Sequence, residues 1–237
     1  MKYFKKQLIL IAFLGVASMT SAQTFGLKAG FNLSNTTLST LKPESTDQYE
    51  FTQFDVTPNP GFHFGATLDF ALAESFSIET GLLLTTKGNM VNTSYILNPS
   101  SVNYASINTA STKILLYYVD IPLNAKKTFD LGNNKIYGSL GPYLGVILGH
   151  SINDTRTENG HITSTYKKGF RYGTFGFGTM LDYGLNIGCG IMINAFQFGV
   201  TYGLGLANNL SSAFYPGNTQ NRVFSLSIGY NFQKKIQ

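Results

Sequence analysis

The chain alternates between apolar residues and small or polar residues in segment after segment, which is the pattern of β-strands with two unlike faces. The last segment is the clearest, because Phe224, Leu226 and Ile228 fall on one face and Ser225 and Ser227 fall on the other. Eight such segments of 9 to 13 residues are predicted, at residues 25–34, 61–70, 76–84, 115–126, 136–148, 177–188, 196–206 and 224–232. A tilted strand needs about 9 to 11 residues to cross the hydrocarbon layer of a membrane, so each segment is long enough to span one.

The connections between these segments alternate between short and long. Short connections fall at residues 71–75, 128–134 and 192–195, and long ones at residues 35–59, 88–112, 151–171 and 208–221. This alternation is typical of barrels of the bacterial outer membrane, where short turns face the periplasm and long loops face outside. The sequence therefore predicts an all-β fold, an eight-stranded antiparallel up-and-down transmembrane β-barrel. Because proline cannot donate to a strand ladder, we also expect a bulge at Pro142.

The residues on the inner faces favour a membrane barrel over a soluble β-sandwich. The polar face of a sandwich would meet water and should carry many Lys and Glu, whereas these faces carry mainly Gly, Ser, Thr and Asn. After residue 22 the longest apolar run is residues 114–119, far short of the roughly 20 residues that a membrane helix needs. Any membrane crossing in this part of the chain must therefore be a strand.

Residues 1–22 have the pattern of a secretory signal peptide, which makes residues 23–237 the barrel domain. Lysines at positions 2, 5 and 6 precede an apolar stretch at residues 8–16, and residues 20–22 (TSA) form a small-residue cleavage site. Without these three lysines, the 17 Lys and Arg fall to 14 against 12 Asp and Glu. So small an excess argues against a nucleic-acid partner. The expected location is the bacterial outer membrane.

Several ionisable residues are predicted to face the narrow lumen: Lys28, His63, Asp69, Glu79, Asp120, Lys126 and Asp182. An eight-stranded barrel is only wide enough for its side chains to fill it, so the favoured interpretation is that these charges pair and plug the interior. A small ion-permeable path and a catalytic site are the alternatives. His63 and Asp69 lie about 20 Å apart along one strand and cannot share a proton. Asp69 and Glu79 can meet across a hairpin, with Lys28 or Lys126 as the neutralising partner.

The sequence contains no pattern that indicates a cofactor or an enzyme. Cys189 is the sole cysteine, which excludes an intramolecular disulfide and a cysteine-based metal cluster, and its parity places it on the lipid face. His150 and His161 flank one long connection and are expected to be solvated and not to bind metal. We therefore predict that the chain has no cofactor and no catalytic residues.

A basic and aromatic segment lies at the edge of one long connection. Lys167, Lys168 and Arg171 are interleaved with Tyr166, Phe170 and Tyr172. At an outer leaflet, aromatic rings anchor at the interface and cations bind phosphate groups, so the predicted partner of the three cations is lipopolysaccharide.

Three segments resemble the PorT-like outer-membrane β-barrel domain proteins of Bacteroidetes: residues 25–34 (FGLKAGFNLS), 120–123 (DIPL) and 226–232 (LSIGYNF). The resemblance covers almost the whole chain after residue 22. It implies an OmpA-like barrel that the outer-membrane assembly machinery inserts by binding a C-terminal strand with a final aromatic. The residues that would carry this signal are Gly229, Tyr230 and Phe232. Some relatives serve a secretion system.

The predicted function is that of a non-enzymatic outer-membrane barrel with a structural, adhesive, or assembly- and secretion-related role. Its specificity is expected in the loops at residues 35–59 and 151–171, because binding sites concentrate on such loops. The expected partners are outer-membrane lipid, lipopolysaccharide, the assembly machinery and an unidentified protein. A small pore and a lipid-modifying enzyme are the alternatives.

Overall fold

All secondary structure in the described part of the chain is β-strand. The computed structural model describes residues 23–37, 49–97, 107–172, 181–208 and 219–232. The predicted signal peptide at residues 1–22 lies outside this part. Among the described residues, no helix is long and apolar enough to cross a membrane. The strands are β1 (Gln23–Thr36), β2 (Tyr49–Ala73), β3 (Phe76–Leu97), β4 (Ile107–Leu131), β5 (Asn134–Glu158), β6 (His161–Tyr172), β7 (Leu181–Ile193), β8 (Phe196–Gly205) and β9 (Asn221–Phe232).

Eight of these strands close into an antiparallel ring. The sheet runs in the order β4-β3-β2-β1-β9-β8-β7-β5, and pairing between β4 and β5 closes it. The strand β6 adds no ninth position, because β6 and β7 pair with β5 at successive levels, β7 along residues 135–146 and β6 along residues 149–158. The predicted eight-stranded antiparallel barrel is therefore confirmed.

The three predicted short turns are all found, at one end of the ring. They lie at residues 74–75, 132–133 and 194–195. Gly132 has a φ of 60° and Asn194 a φ of 53°, both in the left-handed region that Gly and Asn tolerate best. Residue types that accept this conformation therefore mark two of the three reversals.

The predicted long loops are wrong in large part, because much of their sequence is strand. β2 already begins at Tyr49, β3 continues to Leu97, and β5 and β6 form a hairpin over most of residues 151–171. The hairpin turns at Asn159 and Gly160, with φ values of 47° and 82°, as a two-residue turn between twisted strands requires. Of the connection at residues 208–221, residues 209–218 lie outside the described part.

We call this additional sheet the extension. It comprises the strand residues that lie farther from the short turns than one row of paired residues. That row consists of Pro58, Asn89, Ile114, Ile152 and Lys168. Its members are residues 49–57, 90–97, 107–113, 153–158 and 161–167.

Three irregularities separate the extension from the ring. In β2 the register shifts between Pro58 and His63, and in β5 it shifts because Leu148 has no partner on β4. The third is a register shift between β5 and β6, at His150 and Ile152. A one-residue irregularity turns the following side chains to the opposite face. By contrast, Gly141 and Pro142 have no partners on β4 but the register does not shift there, so the bulge predicted at Pro142 is wrong.

The outer face changes character at these irregularities. Below them it is apolar and exposed, with Leu140 at 56% and Ile187 at 55% exposure. Beyond them it is polar, and one row across five strands consists of Asp55, Asn92, Ser111, Thr155 and Thr165. The inner face of the extension and of the row bounding it is mixed, because Val56, Val91, Ile114 and Ile152 share it with Thr112 and Asp154. The outer face thus changes from apolar to polar between ring and extension.

Buried polar side chains replace the backbone hydrogen bonds that the irregularity in β2 disrupts. The Thr86 hydroxyl accepts from the Phe62 N–H at 2.7 Å and donates to the Phe62 carbonyl at 3.0 Å. Asn32 Nδ2 donates to the carbonyls of Phe62 and Thr86, and Ser34 Oγ donates to the Gly88 carbonyl at 2.8 Å. All three polar residues have 0% exposure, so an unpaired backbone group here would lack water as a substitute.

Within the residues that the structure describes, the strands reach different heights around the barrel. The described parts of β1, β7, β8 and β9 reach only the level of the irregularities, whereas β2 to β6 continue beyond it. Within the described part of the chain, residues 49–57 of β2 pair with β3 alone, and β6 pairs with β5 alone.

Candidate functional site

The candidate site is the interior of the ring, where the structure places all seven ionisable residues singled out from the sequence. Strand alternation turns Lys28, His63, Asp69, Glu79, Asp120, Lys126 and Asp182 inward. Burial is deepest for Asp182, at 0% exposure, and for Lys126, at 2%. The seven residues separate into two clusters at different levels and one histidine.

The lower cluster lies near the short turns and contains equal numbers of cations and carboxylates. Lys28 forms an ion pair with Glu79, and Lys126 forms one with Asp69 and a second, at 3.4 Å, with Glu79. Asp69 and Glu79 are direct partners across the β2–β3 hairpin, which brings the two carboxylates together. Gln197 Nε2 donates to Glu79 Oε2 at 3.3 Å. The charges therefore cancel within the cluster.

The upper cluster is centred on Lys87, a residue that the sequence analysis missed. The Lys87 ammonium lies 2.9 Å from an Asp120 oxygen and 2.8 Å from Asp182 Oδ2. Asp182 also accepts hydrogen bonds from the Tyr143 hydroxyl at 3.2 Å and from Asn221 Nδ2 at 3.0 Å. The signal for Lys87 was available, because its odd position continues the inward alternation of Glu79, but the strand was predicted to end at residue 84.

Aromatic rings surround both buried ammonium groups. The Lys87 ammonium lies 4.8 Å from the centre of the Tyr118 ring and 4.4 Å from that of Tyr143. The Lys126 ammonium lies 5.7 Å from the centre of the Tyr137 ring. A cation over a ring face is stabilised by the ring quadrupole, more strongly where water is excluded. The rings thus hold the lysines in place and fill the space around them.

Little open space is left between and above the clusters. A polar cavity of about 90 Å³ separates them. Beside the upper cluster, Leu116, Tyr118 and Ile147 pack together at 2 to 3% exposure. Two ionic clusters and one apolar cluster therefore occupy the described lumen.

The histidines do not form an acid–base arrangement with these carboxylates. His63 Nδ1 lies 2.8 Å from Asn32 Oδ1, whereas Asp69 is six residues away along β2. His150 is buried at 2% exposure, so its predicted solvation is wrong; the irregularity at Leu148 turns it inward beside Leu116. His161 is exposed at the end of the β5–β6 hairpin. In the part of the chain that the structure describes, no group of three His, Cys, Asp or Glu residues could hold a metal ion.

The cations of the basic and aromatic segment are divided between two faces. Lys167 and Lys168 are neighbours on β6 and therefore point in opposite directions. Lys168 pairs with the inward Ile152, and Lys167 pairs with the outward Asn153. Arg171 lies on β6 opposite His150, but its side chain is outside the described part. Of the three residues, only Lys167 is shown to lie on the outer face.

The residues assigned to the C-terminal signal lie on the last strand of the ring. Tyr230 and Phe232 face outward at 41% and 46% exposure, and Gly229 is buried. Phe232 pairs with Phe25 of β1, and their rings stack with centres 5.6 Å apart. This strand therefore forms the closing contact between the two ends of the barrel sequence.

The model of one family, described as outer membrane protein beta-barrel domain, matches residues 21–211, about four fifths of the chain. No curated protein sequence matches the chain significantly.

Solved structures of outer-membrane proteins are similar over most of the chain at low identity. Ail, the attachment invasion locus protein of Yersinia pestis, has 11% identity and a TM-score of 0.32, covering 89% of this chain and 99% of that one. OprG from Pseudomonas aeruginosa has 15% identity and a TM-score of 0.36, covering 90% and 97%. Neisserial surface protein A has 13% identity and a TM-score of 0.38, covering 88% and 97%.

Proposed function

Because this chain belongs to the outer membrane protein beta-barrel domain family, we propose that it is a non-conducting, non-enzymatic surface protein whose extension binds a partner outside the cell. Membership of this family implies a location in the bacterial outer membrane. The short turns then face the periplasm and the extension faces outward. The proposed role is adhesive or assembly-related, with specificity in the extension.

The observation that carries this proposal is the extension itself. A membrane barrel needs only about 9 to 11 residues per strand, yet β2, β4 and β5 each contain 25. The additional residues form an ordered sheet whose outer face carries hydrogen-bonded polar side chains, as in the 2.8 Å bond from Ser111 Oγ to Asn92 Oδ1. Ordered polar surface beyond the membrane does not help the chain cross it, so we assign it to binding.

The filled lumen supports a barrel that does not conduct. A hydrated ion would have to separate the Lys126 ion pairs in the lower cluster and the Lys87 ion pairs in the upper one. Breaking a buried ion pair by removing one partner costs about 3 to 5 kcal/mol, so these layers are energetic barriers as well as steric ones.

The pairing of the carboxylates supports a role without catalysis. Asp69 and Glu79 are both bound by lysine, and His63 is bound to an amide. A general base must be free to take a proton from a substrate, whereas these carboxylates already bind ammonium groups within the lumen.

Site-specific photo-crosslinking on intact cells tests the binding role. A photoreactive amino acid at Asp55, Ser111 or Thr155 should give one discrete adduct, because all three positions lie on the outer face of the extension. The same group at Leu140, on the apolar band of β5, is the matched control and should give only lipid adducts. Absence of a discrete adduct from all three extension positions would contradict the proposal.

Conductance and lipid analysis test the two alternatives. The purified chain in planar bilayers should give no current steps, and a deletion strain should have unchanged lipid A acyl chains. Reproducible steps would instead establish a pore, and altered acyl chains would establish a lipid-modifying enzyme.

The finer assignments are proposals of the same kind. We propose that residues 1–22 are removed on export, so that the mass of the protein isolated from outer membranes should correspond to a start at Gln23. We also propose that the chain belongs to the PorT-like branch of Bacteroidetes and that the assembly machinery binds β9 through Tyr230 and Phe232. Replacing both aromatics with Ser should reduce insertion into the membrane while export across the inner membrane continues.

A further inference from the structure

The outer face carries a chemical boundary that fixes its level relative to the lipid. Tyr117 and Phe170 make an edge-to-face contact on this face, with ring centres 5.2 Å apart and planes at 77°. Phe170 is 56% exposed. Aromatic rings of this kind lie at the membrane–water interface, and beyond Tyr117 the outer face of β4 carries Leu115 and then the polar Lys113 and Ser111. The headgroup layer therefore begins at this aromatic pair.

Two lysines lie on the outer face just beyond that pair. The register places Lys113 of β4 and Lys167 of β6 on either side of Asn153 of β5, in a single row. Two strand spacings separate the two lysine backbones by about 10 Å. Lys113 is four residues from Tyr117, which corresponds to about 13 Å along the strand. For a strand tilted by about 40° from the membrane normal, this places Lys113 about 10 Å farther from the membrane centre than Tyr117. Since lysine stems bend along apolar surface, both ammonium groups can reach the headgroup layer.

The surroundings leave this positive charge uncompensated. Among the described residues, neither Lys113 nor Lys167 forms an ion pair. The nearest acidic residue along β5, Asp154, lies on the inner face, where it binds Thr112 and Arg156. Two cations and an amide donor, without a carboxylate beside them, form a surface complementary to a phosphate group.

We propose that Lys113, Asn153 and Lys167 form a binding site for the phosphate groups of lipid A in the outer leaflet. We assign the site to lipid A because the row of Lys113, Asn153 and Lys167 continues directly from the lipid-facing band through the Tyr117–Phe170 pair. This site differs from the cluster predicted from sequence, since it includes Lys113 of another strand and excludes the inward Lys168. It requires only the outer-membrane location and not the partner-binding role of the extension.

The test measures lipid A binding to the purified full chain by native mass spectrometry after detergent exchange. Each lysine contributes about five-fold, since a basic residue near an anionic surface contributes about 1 kcal/mol. The double substitution K113Q/K167Q should therefore reduce lipid A binding by more than ten-fold. The matched control, K127Q/K135Q, removes two lysines from the periplasmic end and should bind as the unaltered chain does. Heat-dependent gel mobility should show that all variants are folded.

Three further measurements each have an outcome that would contradict the proposal. Lipid A without phosphates must bind at least ten-fold more weakly, and equal binding would show that the acyl chains alone are held. K168Q must leave binding unchanged, and a loss equal to that of K167Q would show a general charge effect. Displacement of lipid A by millimolar inorganic phosphate would show an adventitious ion site and not a lipid site.

Discussion

Lys87 illustrates how one residue can determine the state of the barrel interior. Its side chain has 3% exposure and forms ion pairs with two buried carboxylates, while Tyr118 and Tyr143 lie against its ammonium group. If Lys87 is removed, Asp120 and Asp182 face each other inside the protein without a cation. The carboxylates then either stay charged at high cost or bind protons.

We expect K87M to destabilise the folded barrel by about 3 to 5 kcal/mol, because it leaves two buried carboxylates without their partner. Urea unfolding in lipid vesicles, followed by circular dichroism, measures this change. K135M is the matched control, since Lys135 is 51% exposed and its contact with Asp130 is 3.7 Å long. It should change stability by less than about 1 kcal/mol.

Adding D120N and D182N to K87M should recover part of the lost stability, because the substitutions remove the unpaired charges. Equal stability of K87M and the unaltered chain would contradict the assigned role of the upper cluster. So would a triple variant that is less stable than K87M alone.

At the scale of elements, the sequence predicted the ring well and the extension poorly, for one physical reason. Within the lipid layer most outward residues are apolar, so alternation is strong in segments such as 196–206 and locates the strands. At the irregularities in β2 and β5 the inward parity reverses, and beyond them the outer face meets water. Both changes end the alternation of apolar outward residues with small or polar inward residues, although the backbone continues as a strand. Segments such as 151–171 therefore read as loops.

The contacts in the lumen also divide into some that the sequence predicted and some that it could not. Asp69 and Glu79 could be placed as neighbours because a short hairpin fixes their register, and Lys126 follows from the parity of β4. The partners of Asp120 and Asp182 could not be predicted, because Lys87 lies beyond the predicted end of its strand and the pairing joins residues 95 positions apart. Contacts across a barrel depend on closure, which no local pattern contains.

The β5–β6 hairpin should be removable without loss of the ring. Replacing residues 153–167 with Asn-Gly would join Ile152 to Lys168, which are already direct partners, through the kind of turn that now follows Glu158. We expect the shortened chain to fold and insert, because the strands of the ring retain their pairing. Photo-crosslinking from Ser111 should lose its adduct, since the neighbouring part of the binding face is absent.

Heat-dependent gel mobility measures the folding of this variant. The matched control keeps the hairpin but exchanges Thr155 and Thr165 for Ser, which preserves polarity and pairing. A shortened chain that fails to fold would contradict the separation of ring and extension, and one that retains the Ser111 adduct would contradict the assignment of binding to the extension.

At the scale of the whole molecule, the two ends of the barrel differ in structure. The short turns, one of them flanked by the exposed Asp130 and Lys135, lie at one end, and the extension lies at the other. The apolar band between them fixes how the molecule sits in a membrane. The direction in which it sits follows from the family.

Labelling of single cysteines tests that direction. In a C189S background, T155C should react with a membrane-impermeant maleimide on intact cells, because Thr155 lies on the outer face of the extension. N133C lies in a short turn and should react only after the outer membrane is permeabilised. The reverse pattern would show the opposite orientation and would remove the basis for a lipid A site at Lys113 and Lys167.

The polarity of the outer face also limits how far the hydrocarbon of the outer leaflet can rise. Lipid tails offer no hydrogen bonds, so the outward Asp55, Asn92 and Ser111 would lose their contact with water if the tails covered them. The hydrocarbon layer must therefore end below this row, where the Tyr117–Phe170 pair lies. A stretch of each long strand thus stands in water above the surface of the membrane.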